Sequence, residues 1–440
     1  MNESPLKKNS EKIASSKERS PYQWDFYSDQ PYPIKDKSYK KRIRIRAVPA
    51  NLKLLFVNAI FLPLSLLNYF FLSRFQTAIR SKSSIGLCVN LDKEPSPSPS
   101  LVSELGVRRL SLRIPLSDVE NIDSYVDFIK SFSGVDWMFV VLQDREHIDN
   151  EELCAKSFEM VFSKLHSHGK TFQIGNAINR TKWGFSSVDE YLSFFKTAQN
   201  IRDAKFPEID LLGSSVIDFE IYALIRSLWH FFSIRYDGVA SLLYVDRRGA
   251  PENTQFIFDL IGKINFFWAA IKLSPKTKKR LIISETNWPI EHTKPYAPAL
   301  GDVWVSENDY ANYMLRFYLL AIANGRAECI YWHQLIAPGY GLIDNRDGVI
   351  RKREAYFLFK NLCDLMNDSE VINFFETKNY FEMVVKNSFK GKFHIVWMRK
   401  GKAQKNIPEN MLAYDAFGKV LNCDNDCIEI GESPVFFFQK

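Results

Sequence analysis

The sequence predicts an α/β protein: a (β/α)8 TIM barrel behind an N-terminal membrane-associating segment. Three observations predict it. Eight short apolar runs alternate with stretches of helical length over roughly 280 residues, the count and size of such a barrel. The first run leads into "NLDKEPSPSPS", not into the glycine-rich phosphate turn expected of a doubly wound open sheet. Finally, the runs close on polar residues, and a barrel carries its chemistry at the C-terminal ends of its strands.

The elements follow in order. "SSIGLCVN" (83–90), "VRRLSLRIP" (107–115), "DWMFVVLQD" (136–144), "TFQIGN" (171–176), "LLGSSVIDF" (211–219), "GVASLLYVD" (238–246), "RLIISE" (280–285) and "AECIYWHQ" (327–334) read as strands. Helical lengths lie between them, at 118–132, 150–168, 187–203, 254–272 and 307–325. Polar groups close the runs: Gln143 and Asp144, Asn176, Asp218 and Glu220, Tyr244 and Asp246, Glu285, and Trp332 with His333. Any one of them alone reads as a cap or a neutralised loop charge. As a ring converging on one mouth they mark a candidate site.

Composition excludes several classes. A chain of 440 residues that is 46% hydrophobic and 14% aromatic can bury a large core. Its net charge of +7 comes from 58 Lys and Arg against 51 Asp and Glu, too balanced for a dedicated nucleic-acid binder. Cys88, Cys154, Cys329 and Cys363 sit in apolar or helical runs and read as small hydrophobes; only Cys423 and Cys427, in "NCDNDC", are spaced to pair or hold a metal. The seven histidines show no paired spacing, so no metal and no other cofactor is expected.

Residues 1–50 form a polar, basic arm expected to be poorly ordered. They contain an aromatic, proline-rich stretch, "YQWDFYSDQPYP", suited to lying extended on another surface, and end in Lys40, Lys41, Arg42, Arg44 and Arg46. Residues 51–75 carry "LKLLFVNAIFLPLSLLNYFFL", whose only charge is Lys53 and whose length approaches the ~20 residues that cross a bilayer. Asn58, Pro63, Ser65 and Asn68 suit an interfacial or re-entrant helix equally well. Flanking basic residues, with Arg74, Arg80 and Lys82 beyond, place the segment at a headgroup layer. A bacterial inner-membrane association with the barrel on the periplasmic side is the favoured placement.

"ISETNWP" around Glu285, "IGNAIN" around Asn176 and "IYWHQ" around Trp332 resemble clan A of the (β/α)8 glycoside hydrolases. The resemblance implies that Glu285 is a nucleophile at the end of the seventh strand. It implies substrate contacts from Arg113 in "RLSLRIP", Asn176, Tyr244 and Trp332, and the strand-end His333 beside Trp332 is a further candidate contact. "FHIVWMRKG", "MLAYDAFGKVL" and "ESPVFFF" resemble the small β-sandwich such barrels append, which sets the expected domains at 83–365 for the barrel and 366–440 for the sandwich. The likeness departs at Ala177, where the clan carries its acid/base glutamate. A retaining glycosidase needs two carboxyl groups about 5–5.5 Å apart, and a methyl group serves as neither. The acid is then supplied by another strand, by the substrate or by a partner protein, or the chain is a non-catalytic version. Glu220, then Asp144 and Asp246, are the candidates within the chain.

Arg145, Arg180, Lys182, Arg247, Arg248 and Arg346 follow strand ends and form a candidate positive rim, each equally able to neutralise an adjacent Asp. Guanidinium groups suit carboxylates, which favours an acidic glycan, with Trp183, Trp288 and Trp304 placed to stack on sugar faces. The arm, apolar segment and barrel together resemble the glycosidase component of two-protein hydrolases that remove Kdo from lipopolysaccharide, which would imply a lipid-linked substrate and a membrane protein partner. A glycan-binding or scaffold subunit and a transglycosylase are the competing readings.

Overall fold

The computed structural model describes residues 21–74, 84–246, 249–297, 303–422 and 427–440. Eight parallel strands close into a barrel in sequence order: β1 (Ser84–Val89), β2 (Arg109–Pro115), β3 (Asp136–Leu142), β4 (Thr171–Ile174), β5 (Asp210–Ile217), β6 (Gly238–Leu242), β7 (Leu281–Thr286) and β8 (Ala327–Trp332). The fold is a TIM barrel. β8 returns to β1 with Cys329 opposite Ser84 and Tyr331 opposite Gly86.

Alternation sorts the strand side chains between two cores. Met138, Val140 and Leu142 of β3, Leu212 of β5, Ile282 of β7, and Cys329 and Tyr331 of β8 pack together inside the barrel. The intervening Trp137, Phe139, Val141, Ile283, Ile330 and Trp332 face the surrounding helices. Gly86 lets the Tyr331 ring fill the interior, since a Cβ there would lie 2.5 Å from it. β7 breaks the alternation. Its register slips between the Ser241–Ile283 and Leu242–Glu285 pairs, and slips again against β8. Strict alternation would send Glu285 outward with Ile283; the extra residue turns it into the mouth.

Beyond the barrel, β9 (Ser369–Glu376), β10 (Tyr380–Asn387), β11 (Gly391–Met398), β12 (Ala403–Asn406), β13 (Met411–Tyr414), β14 (Cys427–Ile430) and β15 (Val435–Gln439) form antiparallel sheets in the orders β9-β10-β11-β15-β13 and β12-β14. They make up a β-sandwich domain. A buried ion pair joins the domains. Arg316, on the helix Glu307–Asn324, donates through Nε to Glu252 at 2.9 Å, and the indole N–H of Trp397 on β11 reaches the same carboxylate at 3.2 Å. Cys88, Cys154, Cys329 and Cys363 are buried thiols. Cys423, the proposed partner of Cys427, lies outside the described residues.

Residues 21–50, expected to form a poorly ordered arm, instead take a defined course because they borrow the surface of the barrel. A two-residue hairpin pairs Trp24 with Pro31 and Asp25 with Gln30. Helix α1 (Lys37–Arg46) follows, capped by Asp36, and after Ala47 comes helix α2 (Val48–Arg74). The span Val48–Ser73 is long and apolar enough to cross a membrane. It lies instead across the outside of consecutive barrel helices. Lys53 reaches Asp189 at 3.2 Å, Asn58 donates to the Tyr222 carbonyl at 3.0 Å, and Asn68 donates to the Ala269 carbonyl at 2.9 Å. Leu54, Val57, Phe61, Leu62, Leu66 and Tyr69 face the barrel, with Phe61 stacked on Trp229. Leu52, Leu55, Phe56, Ile60, Leu64, Leu67 and Phe71 form a second stripe at helical spacing that faces outward.

Candidate active site

The inward parity of each strand assembles the site. On β1, Ile85, Leu87 and Val89 face the helices, so Cys88 and Asn90 face in; on β2, Leu110, Leu112 and Ile114 do the same for Arg113. Tyr244 follows Ala240 and Leu242 of the inner core, and His333 follows Cys329 and Tyr331. These side chains meet the bulged Glu285. Arg113 Nη2 donates to Glu285 Oε2 at 2.7 Å, and the Tyr244 hydroxyl donates a short hydrogen bond to Oε1. Both carboxylate oxygens are thus held.

Burial pushes the Glu285 carboxyl up, but the neighbouring His333, the Arg113 guanidinium and the Tyr244 hydrogen bond outweigh it and hold the pKa at about 2. Burial, reinforced by Arg113, pushes His333 down to about 4 against the pull of Glu285. Near neutrality, then, His333 is uncharged and Arg113 is the cation beside an ionised Glu285. His333 stacks on Tyr340, and its buried Nδ1 has no hydrogen-bond partner among the described residues. A carboxylate kept charged, oriented through both oxygens and enclosed by protein is chemically a nucleophile or an electrostatic stabiliser. It is not a proton donor.

The end of β4 is stitched by amides. Gln143 accepts from the Asn176 N–H at 2.9 Å and donates to the Asn176 and Trp183 carbonyls at 2.8 and 2.7 Å. Gln173 donates to Asn176 Oδ1 at 3.1 Å, which leaves Asn176 Nδ2 buried and without a partner among the described residues. Ala177, fully buried, takes a positive φ of 47° and packs in the inner core, so the loop is shaped around a methyl group.

Two of the three expected substitutes for the missing acid, Glu220 and Asp144, are engaged in their own loops. Glu220 takes Arg180, Asn179 and Tyr222 as partners, and Arg180 also binds Asp218 at 2.6 Å. Asp144 caps the short helix Arg145–Asp149 and accepts from both the backbone and Nδ1 of His147. Asp246 adjoins residues 247–248, so Arg247 and Arg248 lie outside the described residues. The rim arginines that are described are neutralised by neighbours, Arg145 by Glu190 at 2.8 Å and by Asp149, Arg180 by Asp218 and Glu220, and Arg346 by Asp344 at 2.8 Å, whereas Lys182 donates to the side-chain oxygen of Gln30. Trp288 and Trp332 need correction as well. They are fully buried, stack on each other at 5.8 Å and sit against Phe317 and Tyr310 in the helical layer, because position 332 has outward parity. Trp183, by contrast, lies under Arg113, whose guanidinium carbon is 5.8 Å from the ring centre.

Asp29 was missed by the sequence reading. It belongs to the arm, is 6% exposed, and binds Arg113 Nη1 through its carbonyl at 3.2 Å and its carboxylate at 3.4 Å. Asn90 donates to the same carboxylate at 2.9 Å and is also bonded to Gln334. Glu285 and Asp29 therefore share one guanidinium. The available signal was "YSDQPYP", an acidic residue in an extended aromatic segment that had to lie on something.

No family model matches the chain, and no curated protein matches it. Solved structures share the fold. A family 39 glycoside hydrolase from Bacteroides cellulosilyticus WH2 superposes with a TM-score of 0.62 at 13% identity, covering 82% of this chain and 81% of that one. A GH30 endoxylanase from Clostridium papyrosolvens C71 gives 0.56 at 10%, covering 83% and 98%. A GH39 β-xylosidase from Caulobacter crescentus gives 0.54 at 11%, also covering 83% and 98%. At these identities the likeness establishes the fold alone, a TIM barrel with a β-sandwich domain.

Proposed function

We propose that the chain is a membrane-seated glycoside hydrolase that acts on an acidic sugar of a lipid-linked envelope glycan, with Glu285 as nucleophile. One observation carries the reading: the Glu285 carboxylate, turned into the barrel mouth by a bulge, is held ionised between Arg113 and Tyr244. Attack by Glu285 on the anomeric carbon would form a glycosyl-enzyme ester while the leaving oxygen departs with its electron pair. Water would then cleave that ester. With Ala177 in place of a donor, the first step depends on a good leaving group or on an acid from the substrate or a partner. Kdo of the lipopolysaccharide core, reached from the periplasmic face of the inner membrane with a membrane protein partner, is the first substrate to test.

The membrane seat rests on the outward stripe of α2 and the basic run Lys40 to Arg46 in α1. A spanning α2 would carry the barrel helices it is bonded to, with Asp189, Glu190 and Arg202, into hydrocarbon. An in-plane helix with its apolar stripe in the acyl boundary avoids that cost.

The test is hydrolysis of aryl glycosides of glucuronic acid, sialic acid and Kdo against aryl glucoside. Glu285→Gln is expected to lower the rate on the order of 10⁴-fold; turnover equal to the parent removes the reading. The packing of Ala177 into the inner core favours a second reading, a barrel that binds glycan without cleaving it. Unchanged ligand affinity in Glu285→Gln, with no turnover by the parent, would select that reading.

A further inference from the structure

Residues 21–36 reach the mouth, where Asp29 and Glu285 share the Arg113 guanidinium. The segment presents two groups inward. Asp29 places its carboxylate on Arg113 and Asn90, as described above, and Trp24 packs nearly perpendicular to Trp183 with the ring centres 5.7 Å apart. Gln30 accepts from Lys182 Nζ, and Ser28 offers its carbonyl to the Tyr340 hydroxyl at 3.4 Å. A carboxylate seated on a buried arginine beside an indole is the pair of contacts that a sugar acid would make, its charge on the guanidinium and its ring against the aromatic face.

The segment is further held by the buried Ile34 and by two long hydrogen bonds, from Tyr22 to the Gly184 carbonyl and from Lys93 to the Phe26 carbonyl, each at 3.5 Å. The two-residue strands pair only with each other. Tyr27 packs edge-on against Tyr296 but is 52% exposed, and Phe26 is 69% exposed. The buried polar anchors are Ser28 and Asp29, and Asp29 is the charged one. Releasing the segment would leave Arg113 with Glu285, Lys182 without the Gln30 oxygen, and Trp183 without its contact with Trp24. An incoming carboxylate restores the first and offsets the second, whereas a neutral sugar restores neither.

Building on the reading of Glu285 as a glycosidase nucleophile, we infer that Arg113 and Asn90 form a carboxylate subsite. Asp29 of the 21–36 strap occupies it in this structure as a pseudo-substrate, and the ligand is a sugar acid that displaces the strap.

The test uses the full chain. Binding of glucuronic acid, sialic acid, Kdo and glucose is measured by calorimetry for the parent, Asp29→Asn and the double variant Trp24→Ala/Tyr27→Ala. The double variant loosens the strap without touching the ion pair. A closed strap reduces apparent affinity by the fraction of time the subsite is free. Both variants should therefore bind at least one acid about tenfold or more tighter than the parent, with no comparable gain for glucose. No gain for any acid, or equal gains for acid and glucose, overturns the subsite. Hydrolysis of the aryl glycosides is read alongside. Turnover that rises with affinity supports the strap as an obstacle. Tighter binding with turnover abolished in Asp29→Asn overturns the pseudo-substrate role and makes Asp29 a working carboxylate. Tighter binding with no turnover by any form keeps the subsite and removes only the hydrolase reading.

Discussion

Replacing Arg113 by methionine strands two buried carboxylates at once, Glu285 and Asp29, since the guanidinium binds both. A carboxyl held at about 2 instead of its ordinary 4.5 contributes about 3 kcal/mol of stability. Because the folded value lies below the unfolded one, that contribution is present above pH 4.5 and fades as pH falls toward 2. In the variant the main opponent of burial is gone, since His333 is neutral near pH 7, and the Glu285 pKa rises. The expected deficit at pH 7 is about 3–5 kcal/mol, the range for removing one partner of a buried pair. It should narrow as the medium is acidified, because protonated Glu285 needs no cation. His333 acts in the same direction. Burial and Arg113 hold it at about 4, so in the parent it costs stability as pH falls from 6.5 toward 4, and losing Arg113 relieves part of that cost. Urea titrations followed by tryptophan fluorescence at pH 7 and pH 4 measure both quantities. A deficit below about 1 kcal/mol at pH 7, or one that grows on acidification, would refute the assignment of Arg113 as the counter-charge.

Trp332→Ala should destabilise the fold by about 3–5 kcal/mol through cavity formation; a weakened sugar affinity at unchanged stability would instead return the indole to the mouth. With no acid at position 177, rates on aryl glycosides should fall steeply with leaving-group basicity, by about 10²–10⁴ beyond what an enzyme with general acid catalysis shows. A flat dependence would reveal a donor elsewhere. The full chain should co-sediment with phosphatidylglycerol vesicles, and each Lys or Arg of residues 40–46 changed to Gln should weaken binding by about 1 kcal/mol. Phe56→Asp with Leu67→Asp, both on the outward stripe, should release it; binding unaffected by that pair would place the seat elsewhere.

The barrel was legible because eight apolar runs with helical spacers leave few other solutions, and because polar residues closing those runs have one place to converge. Tyr244 and Glu285 were readable from strand ends alone, and Arg113 from the resemblance carried by "RLSLRIP". Parity was the neglected signal. In "AECIYWHQ" the alternation puts Cys329, Tyr331 and His333 on one face and Ile330 and Trp332 on the other, so the indole was outward from the start. Glu285 ran the other way: its inward aim depends on a bulge between β6 and β7, a tertiary event that no local pattern announces. The rim arginines misled because a loop arginine and its acidic neighbour look alike whether the pair faces a ligand or only itself. Asp29 was hidden by distance, lying 84 residues from Arg113 in a stretch with no core of its own.

Asp36 ends the segment at the mouth and caps α1, and a single residue, Ala47, separates α1 from α2. The chain therefore has little slack between the outward apolar stripe of α2 and the segment that places Asp29 on Arg113. A guest that lifts that segment swings it about a fixed hinge at residue 36, like a hatch whose frame is bolted to the deck.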